Sequence, residues 1–168
     1  MRLLKVARIA KPQASRRKGK ASTAKQALPP GRRFLAWLLL IGYSGLLLYW
    51  MFIGFGRTVQ LDGPLRYNLE PLRTVRLYFD MTNGLSYANR LVNLLGNVAV
   101  FAPFGILLPL VVTGYRSFIR LTLLSALGII ILELLQMLLH VGSLDIDDLL
   151  LNLLGVLTGY ALLRLVRG

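Results

Sequence analysis

The sequence has no cysteine and a single histidine, His140. It therefore excludes disulfides, thiolate zinc sites, covalent haem attachment and cysteine nucleophiles. Charge is also scarce, because only 16% of the 168 residues are charged and seven are acidic, whereas 55% are hydrophobic. The mean hydropathy of +0.61 is too high for a soluble domain of this size. The composition predicts a protein embedded in a membrane.

The charge that is present is distributed unevenly. Residues 1–33 carry eleven Lys or Arg residues and no acid. This stretch has too few apolar residues to form a core, so we expect a disordered basic tail on the cytoplasmic side, attracted to anionic lipid. It lacks interleaved aromatic residues for base stacking, which favours membrane anchoring and argues against nucleic acid as a partner. An organelle transit peptide is an open alternative.

Four apolar segments follow, and each has close to the roughly 20 residues that a helix needs to cross a bilayer. They cover residues 34–55, 91–112, 118–139 and 148–165. We therefore predict an all-α fold, a four-helix transmembrane bundle that occupies residues 34–168. Basic residues lie at the second connection and at the C-terminus, so the positive-inside rule predicts cytoplasmic termini. We expect a multi-pass protein of the plasma membrane.

Polar side chains interrupt the apolar segments near one membrane surface. A charged group in hydrocarbon costs at least about 2.5 kcal/mol, so such groups usually face a bundle interior or a water-filled cavity. The predicted topology brings polar residues from three helices into the outer half of the bundle. We predict that they share a polar pocket open to the outer leaflet. Its candidate residues are Asn93, Asn97, Glu133, Gln136, Asp148 and Asn152.

These residues also have a structural interpretation. Buried amides and carboxylic acids hold helices together in membranes, at roughly 0.6 kcal/mol each on average. For the asparagines, binding and helix packing are both open. For Glu133 with Asp148 a functional role is favoured, because helix packing does not require paired acids.

In the loop before the second segment, residues 68–79 mix apolar, basic and aromatic side chains and are expected to lie in the membrane interface and cover the mouth of the pocket. The loop's cations Arg57, Arg73 and Arg76 could attract anionic headgroups or lipid-linked phosphates. A solvated loop that only spaces two helices is an equally open interpretation.

Other sequence features predict structural roles. The small-xxx-small pattern Gly155 to Gly159 lets a neighbouring helix approach closely, and we expect it to pack within the bundle. Thr122 and Ser125 can donate to carbonyls of their own helix, so no further polar role is expected for them. The lone His140 is interpreted as a loop-edge residue, and no metal site or cofactor is expected.

The polar residues fall into several spaced motifs: Asn68-Leu-x-Pro71, Asn93-Leu-Leu-Gly96-Asn97, Phe101-x-Pro103-x-Gly105, Glu133-x-x-Gln136, Asp145-Ile-Asp147-Asp148 and Asn152-x-x-Gly155. Together these motifs resemble the VanZ-like family of membrane proteins. The resemblance covers about residues 34–165 and adds Asp145 to the candidate pocket. One departure is the turn after Gln136, where relatives often carry an arginine and this chain reads His140-Val-Gly-Ser143.

The resemblance implies a role at the cell envelope, since the founding member is associated with resistance to the glycopeptide teicoplanin. It implies no catalytic residues. We therefore expect a non-enzymatic protein whose partners are membrane lipids or a lipid-linked envelope component, and which influences glycopeptide susceptibility. The main alternative is an intramembrane enzyme that acts on a lipid, with Glu133 and Asp148 as acid and base or as ligands of a divalent cation. No nucleophile or phosphate cradle accompanies these acids, which favours the first hypothesis. A proton-coupled transporter is a third option, although four helices are few for alternating access unless the protein oligomerises.

Overall fold

The computed structural model describes residues 28–54, 59 and 63–167. Most of the predicted basic tail therefore lies outside the described residues. In chain order, the elements are α1 (Pro30–Phe52), β1 (Tyr67–Asn68), α2 (Arg73–Phe79), α3 (Tyr87–Val111), a 3-10 turn (Thr113–Arg116), α4 (Phe118–Leu138), β2 (Leu144–Asp145) and α5 (Ile146–Arg167). By length and hydropathy, α1, α3, α4 and α5 can each cross a membrane. The predicted all-α, four-helix transmembrane fold is confirmed.

Local capping starts these helices earlier than the apolar runs alone predict. Helix α1 begins at Pro30, because proline suits the first turn of a helix, where its missing N–H is not needed. Helix α3 begins at Tyr87 rather than at residue 91, because Ser86 Oγ accepts a hydrogen bond from the backbone N–H of Asn89 at 3.2 Å. Helix α5 begins at Ile146 and carries two aspartates in its first turn, where negative charge complements the helix dipole.

The closest approach between helices is that of α3 and α5. A Cβ added at Gly155 would overlap the carbonyl oxygen of Val98, and one added at Gly159 would overlap that of Ala102. Gly105 of α3 meets the backbone of α5 in the same way. Small residues at these positions let the two backbones touch, which is a common way to associate helices in lipid. The predicted packing of the small-xxx-small pattern within the bundle is confirmed.

The remaining helices pack around this pair. Helix α1 lies against α3, where the Tyr43 hydroxyl donates to the carbonyl of Val100 at 2.8 Å. Helix α4 lies against α5, whereas α1 and α4 make little contact with each other. The main buried cluster joins all four helices and consists of Leu47, Met51, Phe101, Leu121, Ile129, Val156 and Tyr160.

The two ends of the bundle differ in charge. At one end Arg33 Nη2 donates to the carbonyl of Val111 at 3.0 Å, where a cation complements the C-terminus of α3. We call this the basic end, and its arginines are Arg32, Arg33, Arg116, Arg120, Arg164 and Arg167. At the opposite end Gln136 Nε2 donates to the carbonyl of Met51 at 2.7 Å. All the described Asp and Glu residues belong to the opposite half, which we call the acidic end. Which end faces the cytoplasm stays a prediction.

Candidate functional site

Asp147 anchors the short helix α2 to the start of α5. Its carboxylate is fully buried and accepts hydrogen bonds from the backbone N–H groups of Leu72 at 2.5 Å, Thr74 at 2.7 Å and Val75 at 3.1 Å. These donors belong to the first turn of α2 and its preceding residue, and α2 has no cap from the side chain at its own N-cap position. Exposed N–H groups at a helix start need acceptors, and a negative charge suits them best. Asp147 therefore caps α2 from another helix.

Asp145, two residues before Asp147, also attaches the loop between α1 and α3 to the bundle. Its Oδ1 accepts from Asn68 Nδ2 at 3.1 Å and from the backbone N–H of Asp147 at 2.8 Å, while Oδ2 accepts from the Thr74 hydroxyl at 2.6 Å. Asn68 and Asp145 also pair in the short parallel ladder of β1 and β2. Both carboxylate oxygens are thus engaged in holding β1 and α2 at the acidic end of the bundle.

Asp148 points toward a different set of residues. Its Oδ1 accepts from Asn97 Nδ2 at 2.7 Å, which links α5 to α3. Burial raises the pKa of the Tyr78 hydroxyl in α2, and the negative charges of Asp148 and then Asp145 raise it further. Adjacent helical residues are about 100° apart around the axis. The carboxylates of Asp147 and Asp148 therefore accept hydrogen bonds from different residues.

These attachments enclose a polar recess of about 470 Å³ at the acidic end. Its walls come from β1 and α2 on one side and from the end of α4, the following turn and α5 on the other. The lining residues are Arg66, Tyr67, Asn68, Arg73, Thr74, Gln136, Val141, Gly142, Ser143 and Asp148. The recess thus presents two guanidinium groups and one carboxylate, together with uncharged hydrogen-bonding groups.

Four of the seven predicted site residues lie in or beside the polar recess. Gln136 and Asp148 line it. Asn97 and Asp145 support it from behind, since Asn97 donates to Asp148 and Asp145 accepts from the lining residue Thr74. The structure thus brings together groups from α3, α4, β2 and α5.

The other three predicted residues occupy different environments. Glu133 and Asn152 are buried inside the bundle, at 3% and 2% exposure, and neither lines the recess. Asn93 does not join the group, because it is exposed and its Nδ2 donates to the carbonyl of Asn89 in its own helix at 2.7 Å.

The sequence predicted that residues 68–79 of the loop between α1 and α3 cover the pocket, and residues of this segment do line the recess. Arg73 was recognised as a cation of this loop, but Arg66 and Thr74 were not identified as site residues. Arg57 lies outside the described residues. Asp147 was recognised in a motif without a role. The available signal was the run Asn68 to Leu72, whose polar residues and proline precede a short helix that lacks a side-chain acceptor at its own N-cap.

The family assignment rests on a match along nearly the whole described bundle. The model of the VanZ/LLP1 family matches residues 36–167, which include most of α1, all the later helices and every lining residue of the recess. The chain belongs to the VanZ/LLP1 family. Searches of curated proteins and of solved structures gave no match. The expected VanZ-like family is confirmed, and this VanZ/LLP1 chain is a membrane protein with four spanning helices.

In this VanZ/LLP1 protein a buried arginine closes the loop beside the recess. Arg90 is 4% exposed, and its Nη1 donates to the carbonyls of Tyr78 and Asp80 at 2.6 Å each. Its Nη2 donates to Asn83 Oδ1 at 2.6 Å. The guanidinium therefore satisfies carbonyls at the C-terminal end of α2, which otherwise lack partners. Hydrogen bonds from Thr82, and to a lesser extent the charge of Arg90, lower the pKa of exposed Asp80.

The three aspartates around the start of α5 in the VanZ/LLP1 chain are engaged by hydrogen-bond donors of the chain itself. Within residues 28–54, 59 and 63–167, no group of three or more His, Asp or Glu side chains is arranged to hold a metal ion. Asp145 and Asp147 instead accept hydrogen bonds from α2 and β1. The chemistry that the site offers is hydrogen bonding and charge recognition.

Proposed function

We propose that this VanZ/LLP1 protein binds the headgroup of a phosphate-bearing lipid or lipid-linked envelope component in the polar recess, without catalysing a reaction. The observation that carries the proposal is that Arg66, Arg73 and Asp148 line one recess. Arginine binds phosphate through two parallel N–H donors. A carboxylate accepts hydrogen bonds from hydroxyl or ammonium groups. A phosphate headgroup that also carries hydroxyl or amino groups suits both.

The depth of the recess supports a lipid ligand. Gln136 lies two residues before the end of α4, and Asp148 is the third residue of α5. At 1.5 Å per residue, both are within about 5 Å of a helix end. Phosphates of a bilayer lie just outside its hydrocarbon core, at the level where spanning helices end. A lipid headgroup can therefore meet the recess without leaving its leaflet.

The distribution of charge supports an orientation. Among the described residues, the basic end has arginines and no acid. The sequence before Arg32 contains further Lys and Arg residues and no acid. Cytoplasmic ends of membrane proteins are enriched in Lys and Arg. We therefore assign the basic end to the cytoplasm and the polar recess to the outer leaflet of the plasma membrane.

An outer-leaflet site gives a route to glycopeptide susceptibility. Binding of lipid-linked envelope components at this site would change how many of them are accessible to a glycopeptide of the teicoplanin type. The ligand's affinity for the recess and its abundance would set the size of this effect.

The carboxylates favour binding over catalysis. Asp145 and Asp147 are occupied by donors from α2 and β1, and Glu133 does not line the recess. Asp148 is the one described acid that lines the recess, so the recess wall does not itself present an acid and a base together. The non-enzymatic proposal is therefore preferred to the lipid-modifying enzyme.

The test compares the lipids that co-purify with two single variants of α2. Arg73→Gln removes a charge from the recess wall, whereas Arg76→Gln removes one from an exposed position of the same helix that does not line the recess. Mass spectrometry should find a phosphate lipid enriched with wild type and with Arg76→Gln. Its amount should fall about tenfold in Arg73→Gln, since a charge-assisted hydrogen bond is lost.

Two outcomes would contradict the proposal. One is equal lipid content in Arg73→Gln and Arg76→Gln, which would remove the recess as the site. The other is turnover of an added lipid that Asp148→Asn abolishes without loss of lipid binding, which would favour the enzyme instead.

A further inference from the structure

A second cavity, apolar and distinct from the polar recess, lies between α1 and α4. It measures about 320 Å³ and is walled by Leu47 of α1, Phe104 of α3, Val156 of α5 and one face of α4 from Leu124 to Leu132. It extends to Tyr115 near the basic end. The cavity occupies the space where α1 and α4 make little contact with each other.

Ser125 places a hydroxyl without a partner in this apolar wall. The residue is 9% exposed, and its Oγ has no hydrogen-bond partner among the described residues. The sequence predicts a bond to a carbonyl of its own helix, and Thr122 makes such a bond to Phe118 at 2.9 Å. Ser125 does not, so that expectation was wrong for this residue. A buried hydroxyl is costly unless it is satisfied, so a rotation of the Ser125 side chain that let it donate to a molecule in the cavity would be favourable.

The cavity is open to the surrounding bilayer. Leu124 lines it and is 45% exposed, and Gly128 lines it and is also exposed. Both belong to a helix that spans the membrane, so the medium outside them is lipid acyl chain. The occupant available at this opening is therefore a membrane phospholipid.

The depth of Ser125 matches the ester groups of such a lipid. Arg120 is exposed and lies one helical turn before Leu124, on the same side of α4. Its charge belongs at the level of the phosphates. Ser125 is five residues further along the helix, or about 7.5 Å deeper. Each interfacial layer of a bilayer is about 5–8 Å thick, so Ser125 reaches the boundary where ester carbonyls meet the hydrocarbon.

We propose that the cavity between α1 and α4 binds one acyl chain of a phospholipid from the leaflet at the basic end. The phosphate lies at Arg120, the Ser125 hydroxyl donates to an ester carbonyl, and the chain fills the space beside Phe104 and Gly128. This site is at the opposite end of the bundle from the polar recess. It does not depend on ligand binding there.

The test uses a substitution that fills the cavity and should leave the fold unchanged. A Cβ added at Gly128 meets nothing within 4 Å, so Gly128→Leu should be accommodated by occupying the chain's place. Gly45 of α1 also has open space around it, two residues from Leu47 and therefore on a different face of the helix. Gly45→Leu is the matched control, because it adds the same side chain to a lipid-facing surface.

The measurement uses photolabelling in phosphatidylcholine vesicles that contain a phosphatidylcholine with a diazirine in one acyl chain. Mass spectrometry then quantifies the label on residues 101–108, which wall the cavity from α3. We expect strong labelling in wild type and Gly45→Leu, and several-fold weaker labelling in Gly128→Leu. Equal labelling in the two glycine variants would overturn the proposal.

A second comparison tests the serine without changing the cavity's walls. In wild type, labelling by the ester-linked lipid should exceed labelling by its ether-linked analogue by about threefold. This is the factor expected for one hydrogen bond as strong as those between helices in membranes. Ser125→Ala should remove that difference. A preference for the ester that survives in Ser125→Ala, or its absence in wild type, would overturn the assigned contact.

Discussion

The carboxylate of Asp147 lies 2.7 Å from the backbone nitrogen of Thr74, although the two residues are 73 positions apart in the chain. The contact joins the first turn of the last spanning helix to the first turn of α2. It holds Thr74 and Arg73 against the end of the bundle, where both line the polar recess. A fully buried acid thus determines the position of a recess wall that it does not itself line.

Replacing Asp147 by Asn should therefore detach α2 without damaging the spanning helices. The amide keeps one acceptor but loses the negative charge that suits a helix N-terminus, so we expect a loss of about 1–2 kcal/mol. Thermal unfolding in detergent measures the loss, and protease cleavage within residues 63–79 should accelerate. Asp80→Asn is the control, because the side chain of Asp80 is exposed and, among the described residues, accepts hydrogen bonds only from Thr82. Equal cleavage of the two variants would contradict the capping role.

The contact between α3 and α5 predicts a second effect on stability. Gly159→Ala adds a methyl group that overlaps the carbonyl of Ala102, so the helices must separate, at a cost of about 1–3 kcal/mol or more. Gly96→Ala in α3 meets open space and should be neutral or stabilising by up to about 1 kcal/mol through helix propensity. Melting temperatures in one detergent compare the two. A Gly159→Ala protein that melts with wild type would show that this backbone contact is not required.

The spanning helices could be predicted from the sequence because long apolar runs have few alternatives in a membrane. The faces of those helices were harder to predict. Asn93 and Asn97 were expected to share one pocket, but a step of four residues along a helix rotates the side chain by about 40°. Asn97 reaches Asp148, whereas Asn93 turns outward and bonds its own helix.

The recess wall could not be predicted from local patterns. Asp145, Asp147 and Asp148 are nearly adjacent, yet the first two bind the loop before α3 and the third binds α3 itself. Their partners are 51 to 77 residues away in the sequence. Helical geometry places them on different faces, but only the folded chain decides which donors lie opposite each face. The charged residues in the sequence therefore indicated a site without defining its walls.

Tyr78 provides a prediction about pH. Burial raises the pKa of its hydroxyl above the ordinary value of 10.0, and the charges of Asp148 and Asp145 raise it further. Because the folded-state pKa is the higher one, the contribution of Tyr78 to stability is complete below pH 10 and is lost as the pH rises through the folded pKa. Ultraviolet difference titration of wild type against Tyr78→Phe isolates this phenol.

Neutralising Asp148, whose charge raises this pKa more than that of Asp145, should shift the titration. In Asp148→Asn the pKa of Tyr78 should fall toward 10.0 but stay above it, because burial is the larger cause and is unchanged. Glu70→Gln is the control, since Glu70 is exposed and is not among the groups that raise this pKa. An unchanged Tyr78 titration in Asp148→Asn would place the two side chains farther apart than the structure has them.

The assigned orientation can be tested with single cysteines, because the chain has none of its own. Glu70 and Thr113 are both exposed, and they lie at the acidic end and the basic end, respectively. The excess of cations at the basic end should keep it in the cytoplasm. Glu70→Cys should therefore react with a membrane-impermeant maleimide in intact cells, whereas Thr113→Cys should react only after the membrane is opened. The reverse pattern would place the polar recess on the cytoplasmic side, where it could not reach outer-leaflet lipids, and the proposed route to glycopeptide susceptibility would fail with it.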